Sequence, residues 1–345
     1  MDEWINVMEK EIDIIFSLVR SVLERTVPDV KKMESSQWWH LFRLLQQNHL
    51  SALTADTITS FDVPREVKIP WLAECDKAKR WYRYQEEVLQ DIIGKMTEHG
   101  IETLVLKGTH TAQYYPHPEL REFGDLDLYF YDRHDEADRV ASKVLKVTVN
   151  NESHHHSKYN YRGVTIESHF DFVNRHYPPS NRRYEALLKE QVPSPTFEVL
   201  FLLRHMAGHF AASRITLRDL LDWALTCHAL ADKVDWDTVD KTIHEFGMTE
   251  FTAILNSIVT QRFGIQIPSL PACHASNQSL IEKDIVYGSV DNREGDGVGR
   301  LVWKLRRWKA LRWKREMVFN ESDIRLCLAS LTSHAAKPLS IMHKM

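Results

Sequence analysis

The stretch LVLKGTHTAQYYPHPELREFGDLDLYFY, residues 104–131, decides the fold that this sequence predicts. Its apolar start and the DLDLY segment at residues 125–129 each indicate a short β-strand. A helical pattern follows at residues 134–146, and the extended segments 153–161 and 164–170 are joined by Arg-Gly, which suits a hairpin turn. This order of elements predicts a small mixed β-sheet with helices on one face.

Helical patterns flank this predicted sheet on both sides. Apolar residues recur every three or four positions in residues 1–27, along residues 71–99, and again from residue 196 to about residue 263. We therefore expect an α+β protein that is mostly helical overall. The expected parts are an N-terminal helical region at 1–99, an α/β core at 100–192 and a C-terminal helical region at 193–345.

Two segments are expected to be irregular. Pro64 and Pro70 mark a connection before the helix at 71–99, because proline ends or interrupts helices. Residues 266–300 are rich in proline, serine, asparagine and glycine, and they predict a loop or a linker. Neither segment carries a candidate site residue.

Composition places the chain among ordinary globular proteins. Its 345 residues are 43% apolar and 27% charged, and the formal net charge is −4. A chain without a strong overall positive charge does not indicate a nucleic-acid partner. No apolar run approaches the ~18 residues that a membrane-spanning helix needs, so we expect no transmembrane segment.

The N-terminus and the cysteines predict the compartment. Residues 1–13 are acidic and amphipathic, which is not the pattern of a signal peptide. The four cysteines lie far apart and form no metal-binding or disulfide pattern, which fits buried thiols in a reducing compartment. They are Cys75, Cys227, Cys273 and Cys327. We predict a cytoplasmic protein.

Acidic residues on neighbouring strands are the first candidate site. In a strand, Asp125 and Asp127 point to the same face, while the leucines beside them point to the opposite face. Glu167 occupies the equivalent alternation in segment 164–170, and it becomes a third carboxylate if that segment lies beside the aspartates. Carboxylate oxygens are ligands of hard divalent cations. These three residues therefore predict a metal site.

The turn at Lys107, Gly108 and Thr109 is the second candidate site. Glycine with a hydroxyl beside it lets backbone N–H groups approach a phosphate closely. Lys107 and Arg121 carry positive charges that offset phosphate charge, arginine as a two-pronged donor and lysine as a point charge. Lys107 could instead only pair with an acid, and Arg121 could only hold the loop between the strands. Together with the acidic residues, the turn predicts a site for a metal-bound nucleoside triphosphate.

Histidines form two further groups. The triplet at residues 154–156 falls in a polar strand or loop, where adjacent side chains alternate faces, so we expect a solvated edge and no metal site. His205 and His209 lie four residues apart on one helical face without a third ligand, which favours packing or a place in an acceptor pocket. His169 follows Glu167 by two residues and is expected to hydrogen-bond a carboxylate.

The segment 301–317, LVWKLRRWKALRWKREM, is basic and carries three tryptophans. They are spaced by five residues, a rotation of about 140° on a helix, so they do not form one stripe. We favour a helix packed by its tryptophans on the acidic body of the protein over contact with a membrane surface or a nucleic acid. Its cations are Lys304, Arg306, Arg307, Lys309, Arg312, Lys314 and Arg315.

Several of these segments resemble a known signature. The matching segments are LKGT at 106–109, YP at 115–116, Arg121 and DLDL at 125–128. In this order they are similar to the LKG, YP, R and DIDL motifs of the uncharacterised nucleotidyltransferases. That family belongs to the polymerase-β-like nucleotidyltransferase superfamily.

Downstream segments extend the resemblance. The IESHF strand at 166–170 is similar to the strand that carries the third carboxylate of the family. The helix with His205 and His209 and the LRDLLD segment at 217–222 resemble the family's helical region. The resemblance spans roughly residues 36–260.

The resemblance implies a role for each site residue. Asp125, Asp127 and Glu167 match the superfamily's metal carboxylates, and they imply Mg²⁺ or Mn²⁺ with the aspartates bridging two ions. Glutamate stands where many members carry aspartate, and its additional methylene shifts the metal geometry without removing a ligand. Gly108 and Thr109 match the turn that holds the β- and γ-phosphates, with threonine as the bulkier residue.

Nucleotidyl transfer is the activity that the resemblance implies. A nucleoside monophosphate passes from a nucleoside triphosphate, ATP among them, to an unknown acceptor hydroxyl or phosphate, and pyrophosphate leaves. We favour a small-molecule acceptor. The alternative is a non-catalytic nucleotide-binding or regulatory protein on the same fold, of the toxin–antitoxin or biosynthetic-cluster kind. Intact acids at all three positions favour the enzyme.

Overall fold

The computed structural model describes residues 2–28, 30, 32–267, 269–270, 277–288 and 298–336. The described residues are mostly helical and contain one small mixed sheet, so the α+β prediction is confirmed. The helices are α1 (Asp2–Glu24), α2 (Ser35–Gln47), α3 (Arg65–Glu98), α4 (Thr109–Ala112), α5 (His134–Lys143), α6 (Asn181–Gln191), α7 (Pro195–Ala212), α8 (Leu217–Ala229), α9 (Trp236–Glu245), α10 (Thr249–Ile258), α11 (Gln278–Tyr287), α12 (Val298–Ala310), α13 (Arg312–Val318) and α14 (Asp323–Ala336). The strands are β1 (Leu104–Val105), β2 (Asp125–Tyr129), β3 (His156–Tyr161) and β4 (Val164–His169).

The sheet has the strand order β1-β2-β4-β3. The two central strands, β2 and β4, are parallel, and their register places Asp127 opposite Glu167. The edge strands β1 and β3 pair antiparallel with β2 and β4 respectively. The predicted third acidic strand therefore does lie beside the aspartate strand.

A tight hairpin joins β3 to β4, as the Arg-Gly dipeptide predicts. Arg162 and Gly163 both have positive φ angles, 52° and 82°, which is the backbone geometry of the two-residue turns that match strand twist. The side chain of Asn160 accepts a hydrogen bond from the Gly163 amide at 3.0 Å. This turn sets the register that brings β3 alongside the acidic strand.

One face of the sheet packs on α3 and α5. Leucine, isoleucine and valine side chains alternate with polar ones along β2 and β4, so the apolar set all points to this face. Each large apolar side chain buried here contributes about 1.5–3 kcal/mol. The packed residues are Val88, Leu89 and Ile92 of α3, Ala137, Val140 and Ala141 of α5, and Leu126, Leu128, Tyr159, Val164 and Ile166 of the sheet. The same alternation leaves the acidic residues on the opposite face.

The chain divides into two compact units. One consists of Met1–Lys77 and Leu202–Asn320, and the other of Ala78–Phe201 and Glu321–Met345. The sheet and the predicted metal and phosphate residues belong to the second unit. The three-region division of the sequence stays a prediction.

Two predictions of irregular structure are wrong in part. Pro70 lies inside α3 and not in a connection; its ring removes one N–H near the start of a 34-residue helix, which the remaining turns tolerate. The predicted linker at 266–300 contains α11 and the start of α12. Its residues 268, 271–276 and 289–297 lie outside the described ones.

Helices of the first unit bury both apolar and charged side chains. Phe42 stacks on Trp71 with ring centroids 5.1 Å apart. The predicted basic helix at 301–317 is two helices, α12 and α13, which meet at Leu311. Lys314 and Arg315 of α13 are buried, so these two cations do not belong to an exposed basic surface.

Two further predictions concern membranes and cysteines. Within the described ranges, no helix is both long and apolar enough to cross a membrane. Cys227 is buried as expected, whereas Cys327 is exposed on α14, and Cys273 lies outside the described residues. The expectation of buried thiols is therefore wrong for Cys327.

Candidate active site

The parallel pairing of β2 and β4 builds the centre of the site. Because Asp127 and Glu167 are register partners on the same face, their side chains stand next to each other. His169, two residues further along β4, lies on that face as well. One ligand atom from each of these three residues lies within 4.8 Å of the other two. Two carboxylates and an imidazole therefore converge at one point of the sheet.

Asp125 stands one step further along the same face. Its register partner is Thr165, so it points in the direction that the sequence predicts. Among the described residues, the groups close enough to share one ion do not include its carboxylate. Two of the three predicted carboxylates thus meet directly, and Asp125 lies beside them along β2.

Glu167 experiences several charges at once. Burial, and then the negative charges of Asp127 and Asp125, raise the pKa of Glu167 above its ordinary value. Nζ of Lys158 on β3 lies 3.1 Å from its Oε1. The acids on this face repel each other, and a bound cation would relieve that repulsion.

Lys107 lies directly against Asp127. The amide of Leu106 donates to the carbonyl of Asp127 at 2.9 Å, which extends the β1–β2 pairing and brings the next residue to the aspartate. Nζ of Lys107 is 3.2 Å from Oδ1 of Asp127. Although burial alone would lower it, the carboxylates of Asp127, Asp125 and Glu167 raise the pKa of Lys107. This lysine is therefore charged and neutralises part of the site.

Gly108 turns the chain sharply after Lys107. Its φ is +65° and its ψ is −119°, a conformation that side chains disfavour. A Cβ atom there would also lie 3.3 Å from the Phe123 ring. Thr109 follows at the first position of α4 and is buried. Glycine is therefore required at the turn that the sequence predicts as a phosphate site.

Arg121 supports this turn by a hydrogen bond to its backbone. Its side chain is buried, and Nη1 donates to the carbonyl of Gly108 at 3.1 Å. The guanidinium also lies over the Phe123 ring, 5.3 Å from its centroid. These contacts correspond to the second role considered for this arginine, which was to hold the loop.

A second set of contacts anchors α4. His110 lies with Nε2 3.0 Å from a carboxylate oxygen of Glu198, and the hydroxyl of Tyr114 donates to the same oxygen at 2.8 Å. Glu198 belongs to α7. The short helix after the glycine turn is thus tied to a long helix, which limits its movement.

The prediction of a solvated edge at residues 154–156 is wrong for two of its histidines. Ligand nitrogens of His155, His156 and His169 lie within 4.8 Å of one another. The alternation rule fails because β3 begins only at His156. His155 lies in the bend before the strand, where its carbonyl accepts from the amides of Phe170 and Asp171, both at 3.1 Å.

These two histidines are uncharged near neutral pH. Burial, and then the neighbouring His169, lower the pKa of His156 to about 3. Burial, followed by His156 and His169, lowers the pKa of His155 well below its ordinary value. Neutral imidazoles keep a lone pair for an ion or a donor.

His169 makes the hydrogen bond that its position predicts. Nε2 lies 3.1 Å from Oδ1 of Asp127, and Nδ1 lies 3.2 Å from the carbonyl oxygen of Asp171. Both oxygens only accept, so a neutral ring donates to one of them and an imidazolium donates to both. The ring is therefore held between the aspartate and the backbone.

A cavity of about 610 Å³ adjoins this centre. Asp171 links the two, because its carbonyl holds His169 and its side chain lines the cavity. Lys189 and Arg175 pair with the Asp171 carboxylate at 3.0 and 3.6 Å. Within the described part of the chain, no ion pair of Arg182 is found. The lining residues are His154, Phe170, Asp171, Arg175, His176, Arg182 and Lys189.

The convergence of His155 and His156 and the cavity were not predicted from the sequence. The triplet at 154–156 was a visible signal, but the point at which β3 begins was not. The cavity residues come from 154 to 189 and show no common spacing. His205 and His209 have rings 4.4 Å apart and, among the described residues, are in neither group that could hold a metal.

A model of a known protein family matches this chain. The family model described as an uncharacterised nucleotidyltransferase matches residues 34–264, more than half of the chain. This agrees with the resemblance at roughly 36–260. Searches of curated proteins and of solved structures found no match.

Proposed function

We propose, from the premise that the chain belongs to the uncharacterised nucleotidyltransferase family, that it moves a nucleoside monophosphate from a nucleoside triphosphate to an acceptor hydroxyl or phosphate and releases pyrophosphate. The proposal includes a requirement for Mg²⁺ or Mn²⁺. The observation that carries it is the convergence of Asp127, Glu167 and His169 within 4.8 Å.

The donor set at this point suits a divalent cation. Asp127 and Glu167 supply carboxylate oxygens. Burial, and then repulsion by Asp127 and Asp125, raise the pKa of Glu167, and a bound cation would relieve that repulsion. Asp125, on the same face, would complete the oxygen ligands. When bound, divalent ions neutralise phosphate charge and activate the acceptor oxygen. Asp125, Asp127 and Glu167 are thus the proposed metal residues.

The turn after β1 is the proposed phosphate site. Lys107 supplies a positive charge next to Asp127, at 3.2 Å. Gly108 leaves room for a close approach, and Thr109 offers a hydroxyl beside it. Arg121 supports the turn by its bond to the Gly108 carbonyl, so its contribution to phosphate binding is to fix the backbone that receives the phosphate.

The cavity beside His169 is the proposed acceptor site. Three cations and one acid line it, and Arg182 has no ion-pair partner within the described residues. This balance favours an acceptor with a negatively charged group near the hydroxyl that reacts. A volume of about 610 Å³ accommodates a small molecule.

Labelled nucleoside triphosphates test the proposed activity. The protein is incubated with each of them, Mg²⁺ or Mn²⁺ and a mixture of small phosphorylated and unphosphorylated alcohols, and pyrophosphate release and labelled products are measured. Asp127→Asn should reduce transfer by on the order of 10³-fold, since loss of a metal ligand removes several kcal/mol of charge stabilisation.

Asp135→Asn is the matched control, because Asp135 is an exposed aspartate on α5 whose side chain is 92% exposed. Circular dichroism checks that both variants are folded. A folded Asp127→Asn protein with full activity would contradict the proposal. Nucleotide binding without pyrophosphate release from the unmodified protein would favour the non-catalytic alternative.

A further inference from the structure

Three histidines form a cluster that shares His169 with the acidic centre. The ring centroids of His155 and His156 are 4.5 Å apart. The centroid of His169 lies 5.6 Å from that of His155 and 5.2 Å from that of His156. The rings are tilted by 49° to 88° and do not stack as flat pairs. Their nitrogens lie within 4.8 Å of one another. We propose that this cluster binds a first-row transition-metal ion of the Zn²⁺ class.

The first support is a nitrogen of His155 that lacks a hydrogen bond. Its Nδ1 is shielded from solvent and has no hydrogen-bond partner among the described residues. A polar atom in such a position costs about 1–3 kcal/mol, because it has lost its hydrogen bonds to water without forming a hydrogen bond within the protein. A metal ion supplies the missing partner.

The second support is the orientation of His169. Its Nδ1 lies 3.2 Å from the carbonyl oxygen of Asp171, and its Nε2 lies 3.1 Å from a carboxylate oxygen of Asp127. Both oxygens only accept, so a neutral ring donates to one of them and leaves its other nitrogen without a donor. A metal ion on Nε2 satisfies both sides of the ring, because it binds the Nε2 lone pair and leaves the Nδ1 proton to the carbonyl. Metal-binding histidines almost always donate their other N–H to a carbonyl or a carboxylate, as this ring then would.

His156 is held in a similar way. Its Nδ1 lies 3.3 Å from the hydroxyl oxygen of Ser153, and its Nε2 lies 3.7 Å from Oε1 of Glu167. Ligands of a tetrahedral ion at about 2.0–2.1 Å lie roughly 3.4 Å apart, so nitrogens that lie within 4.8 Å of one another need to approach by at most about 1.4 Å. Small side-chain rotations provide that change.

The choice of nitrogen donors determines the class of ion. Imidazole suits Zn²⁺, Co²⁺, Ni²⁺ and Fe²⁺, whereas Mg²⁺ prefers oxygen ligands and retains its water. The acidic pair Asp127 and Glu167 is the oxygen side of the site, and the histidine cluster is its nitrogen side, with His169 common to both. Binding of such an ion by the cluster does not depend on which reaction the protein catalyses.

Co²⁺ titration of the full, metal-free chain tests the cluster. Co²⁺ held by nitrogen ligands in a tetrahedral site absorbs visible light strongly, so binding is followed directly. The unmodified protein should bind one equivalent, and excess Mg²⁺ should leave the signal in place. His155→Ala should weaken binding by at least about 100-fold, the upper end of what loss of an outer hydrogen bond costs.

His154→Ala is the matched control, because His154 belongs to the same triplet but lies outside the cluster. It should bind Co²⁺ like the unmodified protein. His156→Asn is a second variant in case the alanine protein does not fold, and Zn²⁺ should raise the melting temperature of the unmodified protein more than that of either variant. Equal Co²⁺ binding by His154→Ala and His155→Ala, or no saturable binding, would overturn the proposal.

The two proposals fail in different ways. If no nucleotide is turned over with any metal but Co²⁺ binding depends on His155, nucleotidyl transfer to the tested acceptors is refuted and the metal site stands. If Mg²⁺ supports transfer and His155→Ala binds Co²⁺ as tightly as the unmodified protein, the metal site is refuted and the transfer activity stands.

Discussion

Two groups of buried charges in this protein have opposite arrangements. In the helical unit, Lys314 is fully buried and donates to the carboxylate of Asp284 and to the carbonyl of Ser213. Its ammonium also lies 4.9 Å from the centroid of the Phe210 ring. Burial is the largest influence on this lysine and lowers its pKa; Asp284 raises it, and the positive charges of Arg307 and Arg214 lower it further.

On the sheet, the charges are not balanced one to one. Asp125, Asp127 and Glu167 share one face, and burial, followed by the like charges of the two aspartates, raises the pKa of Glu167. Nζ of Lys107 lies 3.2 Å from one of them, Asp127. A buried pair of opposite charges contributes to the fold, whereas an excess of negative or positive charge at a cleft is suited to a ligand of the opposite charge.

Removing one member of the matched pair should have the largest effect on stability. Lys314→Ala leaves the Asp284 carboxylate buried without its cation, and we expect a loss of about 3–5 kcal/mol in the free energy of unfolding. Urea unfolding measures this. Lys309→Ala on the exposed side of α12 is the control and should change stability by less than about 0.5 kcal/mol.

A second substitution sharpens that result. Replacing Lys314 by Met and Asp284 by Leu together should recover much of the loss, because no charge then remains buried. A loss below about 1 kcal/mol in Lys314→Ala would mean that the pair is solvated and that the comparison does not hold.

Glu185, in the unit that holds the sheet, provides a pH-dependent test. Burial raises the pKa of Glu185 to about 7, although the amides of Phe172 and Val173 donate to its carboxylate. The folded state therefore binds this proton more tightly than the unfolded chain. The stability that Glu185 contributes is present below pH 4.5 and is lost as the pH rises to about 7.

Glu185→Gln should remove this loss, which amounts to roughly 3 kcal/mol over that range. The variant should be more stable than the unmodified protein at pH 7.5, and the difference should vanish at pH 4.5. Glu190→Gln on the exposed side of α6 is the control. Equal stability of the Glu185→Gln and unmodified proteins at both pH values would refute the prediction.

Gly108→Ala tests the backbone of the site. The positive φ of 65° and the 3.3 Å approach to Phe123 should cost about 1–3 kcal/mol of stability. Transfer activity should fall further than stability does, because the turn moves. Gly124→Ala is the matched control, since a Cβ there has no neighbour within 4 Å. Equal effects of the two alanines would contradict this account.

Of these variants, Glu167→Gln should change stability least, and unlike Gly108→Ala it should raise stability. Because burial and like charges raise the pKa of Glu167, ionisation of this group disfavours the fold above its ordinary pKa. The variant should be more stable at pH 8 by less than about 1 kcal/mol, since the lost pair with Lys158 offsets part of the gain. The gain should disappear below pH 4, and a loss of stability at pH 8 would contradict the sign.

Much of the site was predictable because its elements are local. Alternation along DLDLY and VTIESH places the acids on one face and the leucines, valines and isoleucines on the other, and the burial of each strand agrees. The Arg-Gly turn and the glycine before α4 were also predictable from residue type. These features depend on neighbours within a few positions.

Other features depended on partners far away in the sequence. Arg121 was expected to offset phosphate charge or to hold the loop, and only its contact with the Gly108 carbonyl distinguished the two. Lys314 was grouped with exposed cations because its partner, Asp284, lies 30 residues away. His155 was assigned to an edge because the start of β3 depends on how β4 pairs.

By itself, the sequence determined the strand alternation, the glycine turn and the family signature, because each follows from local backbone geometry and residue type. Only the tertiary structure decided which charges and imidazoles are buried and what faces them. The physical reason is that desolvation and Coulomb interactions depend on distances in space, and folding brings together residues such as Asp127 and His169 that are 42 positions apart.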